Sequence, residues 1–144
     1  MPWYPPQSSA AATGYDFPGA TTNGAETMQI GTIPIPANFI GFVQAKVVAR
    51  YMQGVPAAEI PMMRTLRTFI TKGTEQGPIT VVVATAKVAA ETYEAGVGYQ
   101  LAATLLPGQD DTSVMEVRVA GLAGGVTYWD AHVTLCGREQ GSDG

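Results

Sequence analysis

The chain has 144 residues, of which 14% are charged and 46% hydrophobic, with a formal net charge of −4. Its eight Lys and Arg are scattered singly, so no basic stripe follows a phosphate backbone and nucleic acid is excluded as an expected partner. An ordinary soluble domain carries about 25% charged residues, so this surface is expected either to be unusually neutral or to be covered by copies of itself or a larger assembly.

No apolar stretch reaches the roughly 18 residues of a membrane span without charge or proline, and no membrane contact is expected. Met1 to Ser8 has neither the positive start nor the apolar run of a secretory signal. The lone Cys136 cannot form an intrachain disulfide. It is expected to be a buried structural thiol in a protein made in a cytoplasm.

Residues 1 to 26 read as an irregular, extended arm. Pro2, Pro5, Pro6 and Pro18 interrupt regular hydrogen bonding, and Ser8 to Thr13 form a small-residue spacer. The arm nevertheless carries Trp3, Tyr4, Tyr15 and Phe17, which are expected to anchor it on a neighbouring subunit or capsid surface. Strand pairing is expected to begin near Thr27, so residues 27 to 144 form the domain and should survive loss of the arm.

From there the pattern is strand and turn. A first strand over Thr27 to Ile33 ends at Pro34 and Pro36. In the long run Phe39 to Gln53, strict alternation turns Phe39, Gly41, Val43, Ala45, Val47, Ala49 and Tyr51 inward, and Gln44, Lys46 and Arg50 outward. Ile60 to Thr71 also alternates, but neither face is cleanly apolar, as expected of a strand with a partner on both sides. Ile79 to Lys87 reads as a well-buried strand after the turn at Lys72 to Pro78. Glu91 to Gly98 reads as an irregular link or short strand, and Val97 to Leu106 as a strand with Tyr99, Leu101, Ala103 and Leu105 on one face. Pro107 to Thr112 is a turn. Two strands follow, Ser113 to Ala120 and Val126 to Arg138. Seven or eight strands without a helix make an all-β, antiparallel two-sheet sandwich, with a jelly-roll-like topology preferred.

Groups that could support catalysis are few. Asp130, His132 and Cys136 share one face of the last strand, but four residues along a strand separate His132 from Cys136 by about 13 Å. One His and one Cys are too few for a zinc site in one chain. Asp110 and Asp111 sit on a Pro-Gly turn, where acidic residues are favoured locally. No catalytic, cofactor or metal residue is therefore assigned, and the chain is expected not to be an enzyme.

The arm Met1 to Phe17, the entry Ile30-Gly31-Thr32-Ile33-Pro34-Ile35-Pro36 and the closing Thr127 to Leu135 resemble the auxiliary structural proteins of tailed-bacteriophage virions, notably head decoration and fibre subunits. The resemblance implies a non-enzymatic viral protein, made in the host cytoplasm and located in the virion. It would form a homotrimer or similar ring on the major capsid protein or another virion subunit, as a capsid decoration or stabilising subunit. The alternative is a carbohydrate- or receptor-binding sandwich such as a fibre tip, with exposed aromatics as platforms.

Overall fold

The computed structural model describes residues 11–54 and 58–139. Among these are nine strands: β1 (Ala11–Asn23), β2 (Thr27–Pro34), β3 (Phe39–Gln53), β4 (Ala58–Lys72), β5 (Ile79–Lys87), β6 (Tyr93–Glu94), β7 (Ala102–Pro107), β8 (Val114–Ala120) and β9 (Gly125–Glu139). Short 3-10 turns occupy Ala89–Glu91 and Gly96–Gln100. The first sheet has the order β1-β9-β3-β4-β5, with β6 also on β4, and the second has the order β2-β8-β7. Every pairing is antiparallel. The chain is thus an all-β, two-sheet sandwich. The β1-to-β2 and β8-to-β9 connections both pass between the sheets. In contrast, β3, β4 and β5 stay together as a meander in the first sheet.

The alternation of β3 becomes its burial. Phe39, Val43, Ala45, Val47, Ala49 and Tyr51 face the core, while Lys46, Val48 and Arg50 are exposed. On β9 the inward set is Trp129, Ala131, Val133 and Leu135, and the second sheet answers with Ile33, Met115, Val117 and Val119 in the same apolar cluster. Period two on each strand is sufficient for this, because antiparallel neighbours in register align their inward residues.

The expected irregular arm needs correction. From Ala11, β1 pairs along β9 as far as Asn23↔Val126, so strand pairing starts well before Thr27. Prolines and small residues concealed this strand. It lies at the sheet edge, where Pro18 withholds no ladder donor that an inner neighbour would need, and a bulge between Phe17 and Ala20 absorbs the interruption. Gly19 turns there with φ of 77°, and its N–H donates to Asp130 Oδ1 at 2.9 Å. Further along, the fully buried Trp129 indole donates to the equally buried Thr22 hydroxyl at 2.8 Å, which ties β1 into the core.

β5 also departs from expectation. Only Ile79 is buried, and Val82 and Val83 are 56% and 57% exposed. A run of β-branched residues specifies an extended backbone, but burial requires neighbours, and β5 is an edge strand. Before β7, Gly96–Gln100 turns as a 3-10 segment, which leaves Tyr99 exposed and off the face that Leu101 and Leu105 bury.

The mixed faces of β4 are satisfied within the chain. Arg64, only 4% exposed, donates to Glu94 Oε1 at 2.8 Å from Nε and to the Leu101 carbonyl at 2.8 Å from Nη1. Thr68 donates to the Val83 carbonyl at 2.7 Å. At the far end, the buried Lys72 ammonium donates to the carbonyls of Ile35 and Ser113 at 2.7 and 3.1 Å. No second subunit is required to explain these polar groups.

Candidate functional site

The outer face of the first sheet collects the polar and apolar side chains that the core does not use. Strand register sets them in rows running across the sheet. One row is Cys136, Phe42, Phe69 and Val83, and the next is Thr134, Gln44, Arg67 and Ala86. Then come Asp16, His132 and Lys46, followed by Asp130, Val48, Met63 and Tyr93. Two apolar rows therefore flank a polar middle. Val48, Met63, Phe69, Val83 and Tyr93 are all exposed, and an open apolar patch on a sheet face is the ordinary mark of an interaction surface.

In the middle, the His132 imidazole meets Asp16 Oδ1 through Nδ1 at 2.5 Å. Gly14 makes room for it: a Cβ there would lie 3.2 Å from Cε1 and 3.5 Å from Nε2 of the ring. A cavity of about 420 Å³ opens over Asp16, Lys46, Asp130 and His132. The sequence placed Asp130, His132 and Cys136 on one face but too far apart for His132 to reach Cys136; in the structure the partner of His132 is Asp16. Asp130 is occupied by the Gly19 N–H, and Cys136 sits four residues along an unbroken strand. With Asp16 placed in an irregular arm, nothing in the sequence pointed to its pairing with His132.

Cys136 is half-buried and lies on this outer face, not in the core. Its face follows from strict alternation with Leu135, which takes the inward place. Among the described residues, no three His, Cys, Asp or Glu converge as metal ligands would.

A second cavity of about 420 Å³ lies over the other apolar row, walled by Phe42, Phe69, Val83 and Ala86 with Arg67 and Lys87 at its rim. Arg67 stacks over the Phe42 ring at 5.3 Å and donates from Nε to Gln44 Oε1 at 3.0 Å. Its guanidinium carbon lies over one aromatic ring, and its side chain is exposed to solvent.

The residues chosen as arm anchors divide. Tyr15 and Phe17 lie on the inward side of β1, half-buried against the chain's own core. The Phe17 ring covers Gly31 so closely that a Cβ there would come within 2.4 Å of Cδ1. These two rings are used within the subunit. Trp3 and Tyr4 lie outside the described residues. Of the candidate aromatic platforms, Trp129 is fully buried, while Tyr93, Tyr99 and Tyr128 are exposed. The Tyr128 ring carries Arg50 at 5.4 Å.

Asp111, on the turn noted in the sequence, and Glu94 both have structural partners. Asp111 Oδ1 accepts from the Ser113 hydroxyl and from its N–H at 3.0 Å, and these bonds hold its carboxyl below the usual aspartate value. At Glu94 burial pushes the carboxyl up. Hydrogen bonds from Lys87 and Arg64, together with their charges, outweigh that effect and hold it below the usual glutamate value.

No family model matches the chain, and no curated protein is similar to it. Among solved structures, the tailspike protein of Acinetobacter baumannii phage AM24 aligns with 93% of this chain at 6% identity and a TM-score of 0.41. The chain spans 27% of that protein's length.

Proposed function

We propose that the chain is a non-enzymatic structural subunit of a bacteriophage particle, a capsid decoration or stabilising protein that assembles with copies of itself and docks on the virion. The observation that supports this best is the outer face of the first sheet. There Val48, Met63, Phe69, Val83 and Tyr93 are exposed on a chain with few charges, a surface suited to being covered. The resemblance of its arm and closing strand to virion auxiliary proteins supplies the setting, and a homotrimer is the assembly we favour. His132 and Asp16 then serve as polar contacts within an interface. The imidazole is held by Asp16 and lies over a bare glycine.

The fibre-tip alternative calls for aromatic platforms gathered around one groove. Tyr93, Tyr99 and Tyr128 line neither of the two cavities on the first sheet, so decoration is preferred. Light scattering coupled to size exclusion tests the assembly. At micromolar concentration the mass of three chains is expected, and particles purified from producing cells should carry the chain in fixed proportion. A monodisperse monomer absent from such particles would end this reading.

A further inference from the structure

The groove beside β5 has a shape and chemistry that suit a particular occupant. Its walls are apolar, its volume of about 420 Å³ is enough for an indole or phenol, and Arg67 is already stacked on Phe42. A guanidinium fixed on one ring readily accepts a second aromatic on its other side. From the assembly reading above, we propose that this groove receives Trp3 and Tyr4 from the N-terminal segment of a neighbouring copy.

The sequence of that segment fits the groove. Trp3 and Tyr4 are bracketed by Pro2, Pro5 and Pro6, and proline favours the extended, preordered backbone that aromatic-lined grooves recognise. No charged side chain precedes Asp16, so nothing in Met1 to Tyr15 opposes the cationic rim through its side chains.

Register explains why the donor is another copy. Ala11 pairs with Gly137, which pairs in turn with Gly41, one row beyond Phe42. β1 then runs toward the row of Asp16 and His132. At Ala11 the strand therefore points toward the row of Ile40 and away from the groove. To return in its own subunit it must reverse and cross three strand spacings, about 14 Å. The seven residues from Tyr4 to Ala11 are long enough for this, about 25 Å when fully extended, but Pro5 and Pro6 resist the reversal. A neighbouring copy could receive the segment without that reversal.

Disulfide trapping tests this. In the full chain with Cys136→Ala, one preparation carries Pro2→Cys and another Ala84→Cys, a position that is exposed on the groove wall. On mixing and mild oxidation, a covalent dimer of the two chains should form about tenfold faster than with Gln29→Cys, exposed on the second sheet, in place of Ala84→Cys. No rate difference, in a chain that light scattering shows to be assembled, would overturn the groove assignment and leave the assembly reading intact. If the chain carrying both Cys closes on itself when diluted to monomer, the neighbouring copy is the wrong donor. A wild-type chain that is monomeric throughout would remove both proposals.

Discussion

Arg64 shows how one side chain can hold three parts of the sandwich. Placed inward on β4, its guanidinium reaches Glu94 on β6 and the Leu101 carbonyl beside β7, while Lys87 at the end of β5 meets Glu94 from outside at 3.1 Å. Glu94→Gln should cost about 2 kcal/mol in unfolding free energy, since a buried cation loses its charged hydrogen-bond partner but keeps a carbonyl. The pair also sets a pH dependence. Because the Glu94 carboxyl is held below its ordinary value of 4.5, its contribution is complete above that pH and is lost as pH falls through the lowered value. Thermal unfolding from pH 7 to pH 3 should show wild type losing more stability than Glu94→Gln, with Asp111 leaving a residual slope in both. Sequence alone gave Arg64 no partner, because Glu94 lies 30 residues away beyond a turn and periodicity carries no information about such pairs. Its mixed face is met within the chain.

Strands with regular alternation, β3, β8 and β9, were legible to within a residue or two, since burial on one face imposes the period that reveals them. Of the two edge strands of the first sheet, β5 was legible in its bounds, Ile79–Lys87, but not in its burial, and β1 was not legible at all. β1 hides behind Pro18 and a bulge that only an edge tolerates, and β5 has the β-branched composition of a buried strand without the neighbours to bury it. The outer-face site shared this fate: Lys46 and His132 could be placed on their strands, but Asp16 and Val83 come from the edges. β1 yields a direct test. Removing residues 1–10 should leave cooperative unfolding intact. Removing residues 1–26 takes away the Thr22 acceptor of Trp129 and uncovers the β9 edge along its length. That shorter chain should fail to fold cooperatively, as read by circular dichroism on heating. Equal melting of the two truncated chains would return β1 to the status of an appendage.

At the scale of the whole molecule, the two sheets differ in what their outer faces offer. The first carries the apolar rows, both cavities over them and an open, valine-rich edge at β5 with no charged residue before Lys87. Edges of this kind are normally blunted or covered, and the account holds that here they are covered by the assembly. Hydrogen exchange followed by mass spectrometry, at concentrations above and below assembly, tests this most directly. The account predicts that assembly slows exchange in peptides covering residues 42–48 and 79–88, with little change in β2, β7 and β8. Protection confined to the second sheet, or none in an assembled sample, would contradict it.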